Sequence, residues 1–213
     1  RTCPKVMETF GASEIWGLRH SYSLVGTDAK ADIPLPDNVR RYYFPGVSHG
    51  GGNGGFSIAA PPARGCELAF NPSPTAQMLQ ALMTTFAGWV TKGTPMPPSQ
   101  YPTIADGMLV APTSAAMGFP AIPGRPLPDG VLVPLLDYDA GAGFNYRDQS
   151  GIASQLPVVT RVLPQLVPRV DADGNEIAGV KSTLQMARLG TDTGGNAQPT
   201  APWRDRSTWA ITA

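Results

Sequence analysis

Up to Gly93 the sequence switches repeatedly between two apolar periodicities, and this alternation restricts the fold more than any other feature. Val6 to Phe10 is a short β-prone run between Pro4 and Gly11, as expected of a strand. Ser13 reads as the N-cap of a helix starting at Glu14, whose apolar face is Ile15, Leu18, Tyr22 and Val25. Polar residues and prolines fill Gly26 to Asn38. A second strand, Val39 to Phe44 (VRRYYF), stops at Pro45-Gly46 and opens into a glycine-rich loop that contains His49. After an irregular segment, Pro61 to Asn71, Ser73 caps a helix with Pro74 at its first position. That helix runs to about Lys92, with Leu79, Leu82, Met83, Phe86 and Val90 on one face and Gly93 as its stop. Strand, helix, strand, loop and helix in this order imply a mainly parallel sheet covered by helices, an α/β fold.

Beyond Gly93 the texture changes. Pro95, Pro97, Pro98, Pro102, Pro112, Pro120, Pro123, Pro126 and Pro128 punctuate short apolar runs such as MLV and VLVPLL. The chain holds 24 glycines and 23 prolines in 213 residues, a loop-rich composition just short of what suggests disorder. In VPRVDADGNEIAGV two β-prone arms flank Asp173-Gly174, which predicts a hairpin near residues 165–180. DADGNE is no calcium loop, because the twelve-residue ligand pattern with its distal Glu is missing. The expected organisation is an α/β core over residues 1–93 and a Pro/Gly-rich, partly β extension over residues 94–213.

Several function classes are excluded early. Lys+Arg and Asp+Glu number 16 each, so no basic surface points to nucleic acid. No apolar run approaches the roughly 20 residues of a membrane helix. No clustered ligand spacing indicates a metal, and nothing indicates an organic cofactor. The chain opens RTCPKVMETF, without an initiator Met or a charged-then-apolar leader, which suggests a removed leader or a piece of something longer. Cys3 and Cys66 are expected to form a disulfide, which would place the protein in an oxidising compartment, secreted or periplasmic; the alternative is two unrelated buried thiols.

The chemistry concentrates in FPGVSHGGGNGG, residues 44–55. Gly46 to Gly50 fits the G-x-S-x-G nucleophile elbow, and His49 to Gly52 fits the HGGG oxyanion loop of some esterases. The elbow needs an acid and then a His downstream of its Ser. The chain has only two histidines, His20 and His49, so Ser48 lacks them. The oxyanion reading needs a later G-x-S-x-G, and none follows. The remaining reading makes His49 the triad His, in a loop after a strand and before a helix. The acid then belongs in the loop after the preceding strand, where Glu14 stands. Asp28, Asp32 and Asp37 also lie before His49, and Asp28 is the alternative. The bland reading of Glu14 is a first-turn carboxylate favoured by the helix dipole, and that of His49 a solvated side chain.

METFGASEIWGLRHSYSLVGTD, DNVRRYYFPGVSHG and CELAFNPSPTAQMLQALMTTFAGWVTKGTPMPPSQYPTIADGMLV together resemble a family of large, often exported bacterial α/β-hydrolase-domain proteins. RPLPDGVLVPLLDYDAGAGFNYRDQSG and LVPRVDADGNEIAGVKSTLQMARLGT continue the match to about Gly195. The paired blocks S-E-x-W and F-x-G-x-x-H carry most of the specificity. The resemblance implies an esterase-like serine hydrolase in which His49 is the triad His and Glu14 the acid, acting on a small-molecule ester without cofactor. It also implies a longer N-terminal part carrying the nucleophilic serine, so this chain would match the C-terminal portion and be inactive alone. LGTDTGGN departs from the family's aromatic-bearing pattern, and the tail NAQPTAPWRDRSTWAITA matches nothing in it. Tyr101, Phe119, Tyr138, Phe144, Tyr146, Trp16 and Trp89 are expected to pack rather than bind ligand. The rival expectation is a non-catalytic, hydrolase-derived binding or assembly module, or an inactive truncation. An enzyme part would show a sheet edge awaiting a missing half or partner chain, whereas a self-sufficient module would close its core.

Overall fold

The computed structural model describes residues 3–55, 71–123, 127–153, 156–187 and 190–192, with the backbone of 196–197 and 209–210. The elements in chain order are β1 (Val6–Gly11), α1 (Ala12–Trp16), α2 (Ser21–Val25), β2 (Val39–Phe44), α3 (Ala76–Lys92), β3 (Leu109–Val110) and α4 (Ser114–Met117). β4 (Leu135–Asp139), β5 (Phe144–Asn145), β6 (Ser150–Gly151), β7 (Val158–Leu163), β8 (Val167–Pro168), α5 (Thr183–Met186), β9 (Asn196–Ala197) and β10 (Trp209–Ala210) follow. Among the described residues no helix is long and apolar enough to cross a membrane.

β1 and β2 pair in parallel, from Val6 opposite Val39 to Gly11 opposite Phe44. β2 is covered on both faces, which explains why Tyr42-Tyr43-Phe44 is an unbroken apolar run rather than an alternating one. Tyr43 faces a core with Phe10, Ile15, Leu24, Leu109, Met117 and Val167. Tyr42 and Phe44 face the opposite side, against Val47, Leu82, Trp89 and Met96. Both cores therefore mix residues from before and after Gly93. The far edge of β2 is also occupied: Gln100 N–H donates to Arg41 O (2.9 Å), Tyr43 N–H to Gln100 O (2.8 Å) and Val180 N–H to Tyr43 O (2.7 Å). Gly179 makes the last approach possible, because a Cβ there would lie 2.5 Å from Tyr43 O. Beyond this sheet, β4 and β7 form an antiparallel ribbon with a bulge between Asp137 and Tyr138.

Three expectations change. The helix expected from Glu14 to Val25 is two short helices, α1 and α2. Gly17 ends the first and Arg19 takes a left-handed conformation (φ 59°), so the chain turns and leaves Leu18 65% exposed. The long helix starts at Ala76 with Thr75 as its N-cap rather than Ser73, and ends at Gly93 in the left-handed conformation as expected. The hairpin around Asp173-Gly174 is reduced to one antiparallel bridge, Val170 to Glu176, over a tight turn held by the Asp171 carboxylate. Its arms diverge because β8 pairs with β3 and Val180 bonds to β2. Of the two cysteines expected to pair, Cys3 is exposed and free among the described residues. Cys66 lies outside the described residues, as do Pro61 to Phe70 of the irregular segment.

Candidate functional site

Two parallel strands that end side by side place whatever follows them at the same edge of the sheet, where ligands of open α/β sheets bind. β1 runs directly into α1, and β2 runs into the Pro45–Ser48 segment. The chain from Arg41 to Ser48 is buried throughout, and His49 is the first exposed residue after it. Its side chain is 60% exposed, while that of Glu14 is only 17% exposed.

The two meet. His49 Nδ1 lies 2.6 Å from Glu14 Oε1. A carboxylate at that distance accepts, so Nδ1 carries a proton, and in the neutral imidazole Nε2 holds the lone pair. The other carboxylate oxygen, Oε2, accepts from Gly11 N–H (2.7 Å) and Ser13 Oγ–H (3.2 Å). Burial pushes the Glu14 carboxyl up, but the hydrogen bonds from His49, Gly11 and Ser13 outweigh it and hold the group below its ordinary value. The carboxylate is therefore ionised at neutral pH and oriented before any ligand arrives. Gly11 leaves the room for this, since a Cβ there would lie 3.2 Å from Glu14 Oε2 and 3.0 Å from Val47 O.

Two of the other candidate acids are engaged elsewhere. Asp28 is 62% exposed and bonds Arg161 Nη1 at 2.8 Å. Asp32 accepts from Ile104 N–H (2.7 Å) and Ala105 N–H (2.9 Å). Asp37 is exposed on the approach to β2. Ser48 Oγ is buried and has no hydrogen-bond partner among the described residues, so it makes no bond to the adjacent His49. Three glycine N–H groups after His49 are engaged by backbone carbonyls. Gly51 N–H closes a turn on Ser48 O (2.9 Å), and Gly52 and Gly54 N–H bond Ser73 O and Pro72 O (2.7 and 2.9 Å).

Two features escaped the sequence reading. His20 has its own carboxylate: Glu8 bridges His20 Nε2 (3.1 Å) and Arg41 Nε (2.7 Å). Glu176 is buried beneath the His49 loop and accepts from Tyr43 Oη–H (2.5 Å), Gly46 N–H (2.7 Å) and Trp16 Nε1–H (3.2 Å). Nothing in the local pattern of GNEIAGV separates that Glu from an exposed turn residue. Only the tertiary fold does.

A family model described as an alpha/beta hydrolase domain matches residues 1–205. The chain belongs to the alpha/beta hydrolase domain family. Membership supports a hydrolase-type function, and the mixture of helices and small sheets agrees with the α/β class. No curated protein and no solved structure matches the chain.

Proposed function

We propose that this α/β-hydrolase chain supplies the acid and the base of a serine hydrolase that cleaves carboxylic esters, and that the nucleophilic serine comes from outside the chain. The observation that carries the reading is the 2.6 Å bond between His49 Nδ1 and Glu14 Oε1. With Nδ1–H committed to a fixed carboxylate, Nε2 is the basic nitrogen and lies on a largely exposed side chain. A serine brought within hydrogen-bond reach of Nε2 gives up its proton to that nitrogen as its Oγ attacks the ester carbonyl. The imidazolium then returns the proton to the leaving alkoxide, and the acyl-enzyme remains. Water repeats the two proton transfers and releases the acid. Glu14 holds the tautomer and stabilises the imidazolium throughout.

The serine-bearing part is taken to be the strand–elbow–helix of an N-terminal half or partner chain. Its seat would be the outer edge of β1, which pairs only with β2 among the described residues. The resemblance to often exported proteins argues for a secreted or periplasmic location.

Joining this chain to the strand–elbow–helix segment of a family member, then assaying a p-nitrophenyl ester, tests the reading. Glu14→Gln should lower turnover by up to about 10⁴-fold, and His49→Ala at least as much. The isolated chain should take no fluorophosphonate label on serine. A labelled serine in the isolated chain would place the nucleophile inside it, and near-normal turnover of His49→Ala would end the assignment of the base.

A further inference from the structure

Glu176 has no part in the chemistry above, yet its surroundings are tied to it. Its three donors come from three elements, and all adjoin the Glu14–His49 pair. Trp16 shares the five-residue helix α1 with Glu14, Tyr43 is on β2, and Gly46 opens the segment that leads to His49. The carboxylate therefore fastens the acid-bearing helix to the base-bearing loop, through a residue more than a hundred positions later in the chain.

The same segment is fixed at its other backbone groups. Gln185 Nε2–H donates to Pro45 O, and Asn71 Nδ2–H donates to Gly46 O. Ser13 N–H, in α1 itself, donates to Val47 O (3.1 Å). Gln185 is in turn set by its own helix start, where Oε1 accepts from Ser182 N–H (2.9 Å), which leaves Nε2 to face Pro45. Gly46 sits at φ 61°, and a Cβ there would lie 2.5 Å from Asp192 O, so no side chain larger than hydrogen fits under this clamp. Stability alone does not favour this design. Burial pushes the Glu176 carboxyl above its ordinary value despite the bonds from Tyr43, Gly46 and Trp16, and no cation among the described residues contributes. Burying a carboxyl group costs free energy; one shared by two segments that must stay in register has a specificity argument instead.

We infer that Glu176 is the positioning residue of the Glu14–His49 pair, setting the distance between the acid-bearing helix and the imidazole-bearing loop from the C-terminal part of the chain. This deepens the proposed hydrolase reading and rests on it.

The test reads the imidazole directly in the isolated chain. Nitrogen-15 chemical shifts at neutral pH report the share of neutral His49 protonated at Nδ1. In the wild type that share should dominate, and Glu14→Gln should remove the preference. Glu176→Gln keeps the size but sets an amide N–H against one of its three donors. It should lower the ratio of Nδ1–H to Nε2–H tautomer about fivefold, the worth of one hydrogen bond. Trp16→Phe and Tyr43→Phe delete one donor each, cover the case in which Glu176→Gln fails to fold, and should each lower the ratio by a smaller factor. Leu163→Ala, buried outside the clamp, should destabilise the chain with the ratio unchanged. A folded Glu176→Gln with the wild-type ratio overturns the inference, as does an equal loss in Leu163→Ala. A wild type without the Nδ1–H preference instead overturns the hydrolase reading beneath it, so the two failures are distinguishable.

Discussion

Glu14 and Glu176 are carboxyls with opposite electrostatic settings, and stability should respond to pH in opposite senses at the two. The Glu14 group is held below its ordinary value of 4.5, against the upward push of burial, by His49, Gly11 and Ser13. A group lowered on folding contributes stability above its unfolded value and loses it as pH falls through the folded one. Replacing Glu14 with Gln should therefore cost more stability near pH 7 than near pH 3, in urea unfolding at about those two values. Glu176 is raised, chiefly by burial, so its contribution is complete below 4.5 and is lost as pH rises through its folded value. Glu176→Gln should cost more near pH 4 than near pH 7. The same dependence for both variants would mean that the two environments have been misread. A third residue-scale expectation concerns Gly11. Ala at that position meets Val47 O at 3.0 Å and Glu14 Oε2 at 3.2 Å. Overpacking of this kind costs about 1–3 kcal/mol and should also push the carboxylate off His49, visible as loss of the Nδ1–H tautomer preference. An unchanged tautomer ratio would show that the loop yields instead.

At the scale of elements, legibility followed the strength of the periodic signal. α3 was readable because seventeen residues repeat one apolar spacing and a left-handed glycine ends it. Its orientation was less so. Leu82 and Trp89 are buried, but Leu79, Met83 and Val90 on the flank of the same stripe are 37%, 50% and 53% exposed. The apolar stripe is wider than the contact it makes, and periodicity reports the stripe alone. Leu82→Ala should thus cost about 2–5 kcal/mol, and Met83→Ala no more than about 0.5, in denaturant melts of the isolated chain. Comparable losses would mean that both sides of α3 are covered in solution. The break between α1 and α2 was hidden because Ile15, Leu18 and Tyr22 mimic one helical face, while the turn depends on Arg19 accepting a left-handed backbone. Turn chemistry at Asp173-Gly174 was legible, and the hairpin was not, because partners distant in sequence claim both arms: β3 takes Val167–Pro168 and β2 takes Val180. The contact between Glu14 and His49 lay within reach of sequence because each follows its strand at once and the strands are parallel neighbours. Glu176 lay beyond it, since its meaning comes from a contact across more than a hundred residues.

For the molecule as a whole, the open question is what adjoins β1. Parallel sheets occur with both faces covered and usually with more than two strands, because a two-stranded sheet buries little and leaves its backbone exposed. β2 satisfies its far edge with Gln100 and Val180, from the part of the chain after Gly93. β1 has no second neighbour among the described residues, and Val6 at its start is 39% exposed. In a parallel pair, successive residues direct their N–H and C=O groups to alternate sides, so only every second amide of β1 bonds to β2. Hydrogen exchange of the isolated chain should therefore alternate along residues 6–10, with protected amides facing β2 separated by fast ones facing outward, while Gly11 N–H is protected by its bond to Glu14 Oε2. Joining the strand–elbow–helix segment should slow the fast set and leave the protected set unchanged, together with the appearance of ester turnover. Protection of all the β1 amides in a monomeric isolated chain would show that the edge is already covered, as a self-sufficient module requires. Protection that grows with concentration, alongside a dimer in size-exclusion chromatography, would show that a second copy takes the place assigned here to the serine-bearing strand.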